Sequence, residues 1–400
     1  MATLVLELEL TAGVVPLVIE PPYNGCRILV RHQHIPLGWI RLSTKKQRNY
    51  SVDELMELIS KQLGWAVVNQ FLLTEKNTVP QITEFAPISV IVCTRNRTHF
   101  LSSCLTALVS LSYPVFEIIV VDNAPSNDDT AKLVAGMPVR YVKEERKGLD
   151  WARNRGIKEA KYDLLAFTDD DARIDGFWLH AIDKAFKEKQ VMAVSGLVAP
   201  AELKTAAQHI FELGYGGMGH GFEKKYFTRR QLGNRRLLWA SSFGIGANMA
   251  FRKKVFHDIG YFDVAFDVGT PTNGGGDVEM FFRLVSRGFT MMYEPSMLVW
   301  HTHRESMQAL RKQIRDNGCS TGCFLIHVFR QGSIRRLSVI RFLLIEWFWN
   351  WNIKNLFRKQ KYLPRSLSLF EISGLFKSPF AYWQSQKMEK RIHGGTDNVG

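Results

Sequence analysis

Nowhere does this chain run apolar for the ~18 residues that a membrane-crossing helix needs, so no spanning segment is expected. Its first residues, Met1 to Glu7, lack a basic n-region and a long apolar core, and acids follow at Glu7 and Glu9, which argues against a secretory leader. Cysteine is scarce. Cys26, Cys93, Cys104, Cys319 and Cys323 are scattered, which fits reduced thiols in a cytosolic protein better than a disulfide framework. Cys319 and Cys323 stand i,i+4 on a possible helix, but two thiols without a second ligand pair make little case for zinc. Acid is in deficit as well: 38 Asp and Glu stand against 52 Lys and Arg, a formal net charge of +14. That surplus suits a polyanionic neighbour, whether nucleic acid, an anionic bilayer or a phosphorylated substrate, without choosing among them. Also missing is a phosphate-binding loop, because Gly274-Gly275-Gly276 has no G-K-[ST] ending and reads as a mobile loop instead.

The 400 residues allow two or three domains, and three parts are legible. Residues 1–86 read as a small α+β accessory module. Leu6 to Leu10 alternates as a half-buried strand does, and Arg27–Arg31 and Trp39–Leu42 read as a hairpin around His34–Gly38. Ser51-Val52-Asp53-Glu54 is a capping box. It opens a helix with Val52, Leu55, Met56, Ile59 and Leu63 on one face, closed by Gly64. His32 and His34 read as a surface pair, and the polar stretch Glu75–Glu84 as a linker. Residues 87–303 alternate buried, β-branched strands with helices, the order of an α/β domain with a parallel sheet covered by helices. Residues 304–400 read as helical, basic and aromatic: nine Lys or Arg and one acid, Glu346, lie between Arg330 and Arg365, interleaved with Phe342, Trp347, Phe348, Trp349, Trp351, Phe357 and Tyr362. That mixture suits an anionic bilayer surface, and it equally suits a helix packed on the middle domain; both readings stay open.

The stretch that carries most is Thr168-Asp169-Asp170-Asp171-Ala172, directly after the apolar run Leu164–Phe167. Three adjacent carboxylates repel one another, so a hydrophobic strand does not end this way for stability. A divalent cation removes the repulsion, and hard oxygen ligands suit Mg2+ or Mn2+. Right-handed crossovers put successive strand ends on one sheet edge, where Asp122, after the run Phe116–Val121, joins the triplet. Asp277 and Glu279 open an expected helix, Asp277–Arg287. Either carboxylate has the chemistry of a general base, although acids are favoured in any first helical turn. His301 and His303 close the run Met297–Trp300, and an imidazole completes the shell of Mn2+ more readily than that of Mg2+.

Seven short motifs in order and spacing resemble family 2 glycosyltransferases over about residues 87–303. They are Thr94-Arg95-Asn96-Arg97; Val121-Asp122-Asn123; Gly148 with Ala152-Arg153-Asn154-Arg155-Gly156; Phe167-Thr168-Asp169-Asp170-Asp171; Gly246 to Arg252; Gly260-Tyr261-Phe262-Asp263 with Gly276-Asp277-Val278-Glu279; and Trp300-His301-Thr302-His303. The resemblance implies a GT-A fold with a mostly parallel sheet flanked by helices, a nucleotide-sugar donor, a divalent metal and inversion at the anomeric carbon. By position it implies that Thr94 and Asp122 meet the nucleobase and ribose, that Arg95 is among the nucleotide-sugar contacts, and that Arg153 lies near the base or diphosphate. Asp169 and Asp171 match the outer acids of the DxD metal motif, with Asp170 between them counted among the nucleotide-sugar contacts. His301 matches the distal metal ligand, His303 a group near phosphate, and Asp277 the catalytic base ahead of Glu279. The family usually carries an acid before that Asp, and here Gly276 stands instead.

The expected function is therefore a cytoplasmic, metal-dependent inverting glycosyltransferase. Its partners would be a nucleotide sugar, a glycan or lipid-linked acceptor and the anionic inner face of the plasma membrane, with no nucleic acid, in surface polysaccharide or glycolipid synthesis. A nucleotidyltransferase would need a Gly-rich, basic loop after the first strand, which Thr94–Arg97 does not supply. A non-catalytic basic protein binding lipid or nucleic acid explains the charge but leaves the acids without a purpose, and a GT-A domain that has lost activity is the third alternative.

Overall fold

The computed structural model of the protein describes residues 2–76, 84–357 and 364–396. The first part is a three-stranded sheet of β1 (Ala2–Glu9), β2 (Tyr23–His32) and β3 (Ile35–Ser43), with β2 central, parallel to β1 and antiparallel to β3. Helix α1 (Val52–Lys76) covers it, its Leu55 and Ile59 buried. The capping box forms as expected, Glu54 accepting from the Ser51 amide at 2.8 Å and Ser51 Oγ from the Glu54 amide at 3.3 Å.

Three expectations need correction here. The hairpin turns at Gln33-His34, and the expected turn residues 35–38 lie inside β3. A two-residue turn with both φ positive (50° and 65°) is normally announced by Asn-Gly. Here Glu9 on the neighbouring strand accepts from both turn amides at 2.9 Å, a support with no local signature. The two histidines are not a surface pair: His32 is buried, and His34 stacks on Phe177 at 4.7 Å. Finally, α1 runs through Gly64 to Lys76, because one glycine costs a helix only about 1 kcal/mol, and Met56 on it is 46% exposed. The expected linker Glu75–Glu84 lies outside the described residues over positions 77–83.

The middle of the chain builds a nine-stranded sheet. Its first half is β4 (Ile88–Thr94), α2 (Thr98–Val109), β5 (Phe116–Asn123), β6 (Arg140–Glu144), α3 (Leu149–Glu159) and β7 (Leu164–Asp169). Here the strands lie in the order β7-β4-β5-β6, all parallel, and their Val and Ile side chains are buried on both faces. The second half adds β8 (Ala172–Ile174), α4 (Trp178–Phe186), β9 (Val191–Pro200), β10 (Lys225–Phe227), β11 (Asn248–Arg252), α5 (Gly276–Ser286) and β12 (Thr290–His301). Beyond β7 the order is β11-β9-β12-β8, with β10 also on β12, and only β9 and β12 pair in parallel. Two buried ion pairs tie the N-terminal sheet to this body: Arg31 grips Asp175 at 2.6 and 3.1 Å, and Arg27 meets Glu212 at 2.7 Å.

The last part is helical. Helix α6 (Met307–Gln331) crosses α8 (Arg365–Thr396) at close range. A Cβ on Gly318, Gly322 or Gly374 would collide with the facing helix. Cys319 and Cys323 belong to this seam as buried free thiols. Between them run α7 (Arg336–Arg341) and a wider helical stretch, Phe342–Ile353. The segment packs on the body through Val339, Phe342 and Trp347, which are buried, whereas Leu337, Ile340, Leu344, Ile345 and Trp349 are exposed. Arg358, Lys359, Lys361 and Tyr362 of the basic run lie outside the described residues.

Candidate active site

Strand register brings the acids to one edge of the sheet. Thr94 at the end of β4 stands opposite Asp122 on β5, and Cys93 stands opposite Asp169 on β7. The turn Asp170-Asp171 then leads into β8, whose Ala172 pairs antiparallel with His301 at the end of β12. That pairing sets Nε2 of His301 3.3 Å from Oδ1 of Asp171, although 130 positions separate them in the chain. Ligand atoms of Asp169, Asp171 and His301 all lie within 4.8 Å of one another.

Arg97 organises the triplet. Its two terminal nitrogens donate to Asp170 Oδ1 and Asp171 Oδ2, each at 2.6 Å, while Thr94 Oγ1 donates to the other oxygen of Asp170 at 2.7 Å. All three acids line the cleft, but both oxygens of the middle one are taken by protein donors. Burial drives the Asp170 pKa up to about 6 against the opposing pull of Arg97 and Thr94. Burial also works to raise Asp171, but His301 and Arg97 outweigh it and hold that carboxyl well below the usual range. Asp169 is raised by burial and by the neighbouring charge of Asp171. One acid stays ionised and its neighbour carries a repulsion, the charge state that a divalent cation relieves. Two carboxylates and an imidazole suit Mn2+ or Mg2+ in donor type, and among the described residues the buried Nδ1 of His301 has no hydrogen-bond partner.

Asp277 sits in the first turn of α5, after Asn273, Gly274 and Gly275, all with positive φ. Its Oδ2 accepts from the Gly246 amide at 2.7 Å. Its charge reaches the triplet, since it helps to raise Asp169. Between them lies Arg153, buried, paired with Asp150 at 2.9 Å and kept charged by Asp150, Asp277 and Asp169 despite its burial. Arg153 is therefore placed as an internal counter-ion to three acids, and not as an exposed ligand for a base or diphosphate. The glycine before Asp277 has a steric cause: a Cβ on Gly276 would collide with the Asp150 carboxylate, so an acid from α3 occupies the space a side chain there would need.

Other expected residues scatter from this constellation. Asp122 is buried at the sheet edge and accepts from Tyr141 at 3.0 Å, while its neighbour Asn123 lines the cleft. Glu279, two residues after Asp277, points to another side of the helix. It pairs with Arg283 at 2.9 Å and lines a separate cavity with Tyr261 and His327, and burial raises its pKa to about 7. His303 is buried and meets Glu212 at 3.1 Å, the same carboxylate that Arg27 holds, so the N-terminal sheet reaches the cleft through one bridge. Arg155 pairs with Glu159 at 2.9 Å on the surface of α3.

Two cavities meet over the site. One, of about 370 Å³, is lined by the acid triplet, His301 and the exposed cations Arg95, Lys147 and Arg304. The other, of about 430 Å³, holds Asp277 together with Tyr215, Trp239, Trp347 and Trp351. Met218 and Gln313 belong to the walls of both. The sequence reading missed Arg97, Lys147 and Arg304. Arg97 was legible as the last residue of the quoted Thr94–Arg97 motif, whereas the other two come from loops without a pattern.

A mixed sheet with metal-type acids at the edge of its parallel half is the GT-A architecture. The fold matches that of the mannosyltransferase PcManGT from Pyrobaculum calidifontis, solved in complex with GDP-Man and Mn2+, with a TM-score of 0.50 and 14% identity over 81% of this chain and 97% of that one. Residues 89–260 match Glycosyl transferase family 2. The chain carries a family 2 glycosyltransferase domain over that stretch. It is 25% identical over 272 residues to Glycosyltransferase AglE of Haloferax volcanii, covering 65% of this chain and 81% of that protein. It is 28% identical over 244 residues to the hyaluronan synthase of Pasteurella multocida, covering 54% of this chain but only 24% of that longer protein.

Proposed function

We propose that the protein transfers a sugar from a nucleotide-sugar donor to an acceptor hydroxyl with inversion, with Mn2+ or Mg2+ held by Asp169, Asp171 and His301. The observation that carries this reading is the pair of joined cavities, with a metal-type cluster in one and a carboxylate, Asp277, in the other. A divalent cation at the cluster would neutralise charge on the departing diphosphate. Arg95, Lys147 and Arg304 supply further positive charge along the same cleft, where a diphosphate leaving group needs it. Asp277 takes the proton of the acceptor hydroxyl. The hydroxyl oxygen bonds to the anomeric carbon, the bond from that carbon to phosphate breaks, and the nucleoside diphosphate leaves with the electron pair. The named relatives include a polysaccharide synthase, which supports polysaccharide or glycolipid assembly as the setting.

The test is a panel of nucleotide sugars assayed for nucleoside diphosphate release with Mn2+, with Mg2+ and with EDTA. One donor is expected to support metal-dependent release, and equal turnover in EDTA would end the metal assignment.

We further propose peripheral contact with an anionic bilayer on its cytoplasmic face, through Leu337, Ile340, Leu344 and Trp349 and the adjacent Arg335, Arg336 and Arg341. Among the described residues no helix is long and apolar enough to cross a membrane. The exposed apolar side chains recur at helical spacing among the cations. Because Phe342 and Trp347 are buried, truncation would damage the core, so the variant is Leu344→Ser with Trp349→Ser in the full chain. Sedimentation with phosphatidylglycerol vesicles is expected to fall several-fold, as two apolar anchors leave the interface. Undiminished sedimentation would reject the contact.

A further inference from the structure

The cavity that holds Asp277 does not end at its aromatic wall. Trp239, Ser242 and Trp351 line it on one side and on the other line a third cavity, of about 590 Å³, between the loop strand β10 and the helix Phe342–Ile353. Three cavities therefore run in sequence from the acid triplet to the outer helices, each sharing wall residues with the next. Their chemistry changes along the way. Around Asp277 the walls are aromatic rings, Tyr215, Trp239, Trp347 and Trp351, flat apolar faces of the kind on which sugar rings pack. Two of these rings are fixed by Glu371 on α8, a buried carboxylate that also lines the cavity and accepts from Tyr215 at 2.8 Å and from Trp351 at 3.0 Å. In the outer cavity the polar groups turn cationic, with Lys225, Arg235 and Arg236 against a single carboxylate, Glu346. Arg235 reaches Glu346 at 3.2 Å with 67% of its side chain exposed, so that pairing is weak and open to competition. Past Phe342 and Glu346 the same helical segment carries the exposed apolar residues Leu344, Ile345 and Trp349.

We propose that this succession reads one amphiphilic acceptor, a sugar joined through phosphate to a long apolar alcohol. The inference rests on the glycosyltransfer reading of Asp277 and names the acceptor class for that site. The sugar lies among the aromatic rings with its hydroxyl at Asp277, the phosphate linkage lies between Arg235 and Arg236, and the apolar chain leaves along Leu344, Ile345 and Trp349. A neutral soluble glycan has no use for the cations, and a free anion has no use for the apolar exit. The phosphate linkage is untouched by the reaction; only the acceptor O–H bond breaks and the new glycosidic bond forms.

Isothermal titration calorimetry with farnesyl diphosphate, in EDTA so that no metal site competes, tests this. Saturable binding is expected to the wild-type chain. The double variant Arg235→Ala with Arg236→Ala is expected to bind about tenfold more weakly, the order of effect for losing two charge-assisted contacts. Both side chains are exposed, so the variant folds, and an unchanged melting temperature checks it. Farnesol and inorganic pyrophosphate are each expected to bind at least about tenfold more weakly than farnesyl diphosphate, because each lacks one half of the recognition. Equal affinity for pyrophosphate, equal affinity in the double variant, or binding to phosphatidylglycerol vesicles without any to farnesyl diphosphate overturns the proposal. Nucleoside diphosphate release, measured separately, keeps the two readings apart: release without farnesyl diphosphate binding sinks only the acceptor class, and binding without release sinks only the transfer reaction.

Discussion

Asp277→Asn is expected to bind donor as the wild type does and to transfer sugar about 10²–10⁴ times more slowly, the usual worth of a positioned general base. The isostere keeps an oxygen for the Gly246 amide, now at 2.7 Å, and gives up only the local acceptor of the Val278 amide, now at 2.9 Å, so the link between the start of α5 and the Gly246 loop stays in place. What it removes is the basic oxygen. The variant therefore separates catalysis from scaffolding. Donor affinity, read as thermal stabilisation by nucleotide sugar with Mn2+, should be unchanged, and kcat should fall with little change in the donor KM. Glu279→Gln is the necessary comparison, because the sequence offers both acids. Glu279 is bound to Arg283 and faces the cavity of Tyr261 and His327, so its replacement is expected to lower stability more than turnover. A collapse of kcat in Glu279→Gln with normal turnover in Asp277→Asn would exchange the two roles.

The same pair shows how far the sequence could be read. Acids two apart on a helix project some 200° from each other, so a motif that names both cannot put both in one cleft. Their cavities become known only once α5 is docked. The strand ends were legible because buried parallel strands read as apolar runs, and the polar residue that stops each run marks the sheet edge. The order and approximate span of β4, α2, β5, β6, α3 and β7 follow from that signal. Long-range charge pairing carries no such signal. Arg153 looks in the sequence like a ligand for a diphosphate; the acids that enclose it come from its own helix, from β7 and from α5, and they bury it. Gly276 looks like a missing acid, and its cause is Asp150, 126 positions earlier. His301 could be named only by resemblance, since the pairing of β8 with β12 that brings it to Asp171 joins two short stretches without any shared pattern. The hairpin of the N-terminal sheet was legible, but its turn at Gln33-His34 was not, because the support of that turn, Glu9, lies on another strand.

Asp171→Asn is expected to abolish metal-dependent turnover, with a loss of about a thousandfold or more, the rate equivalent of roughly 4 kcal/mol of charge stabilisation at the leaving group. The reasoning starts from the unequal surroundings of the three acids. Asp170 is spent on Thr94 and Arg97, whereas Asp171 offers Oδ1 towards His301 and the cleft while Arg97 holds its other oxygen. Replacing Asp171 leaves a neutral oxygen in that place and removes half of the negative charge that Asp169 and Asp171 together present. The direct readout is Mn2+ binding followed by electron paramagnetic resonance, without substrate, which is expected to weaken at least about tenfold, as for loss of any charged ligand. Asp170→Asn should behave differently. Its carboxylate lies among protein donors, so the variant is expected to melt at a lower temperature while Mn2+ affinity changes little. His301→Ala should weaken Mn2+ more than Mg2+, because an imidazole is the softer ligand of the set. If Asp170→Asn loses the ion and Asp171→Asn keeps it, the middle acid is the ligand, and the geometry of the turn between β7 and β8 must differ when a cation is bound.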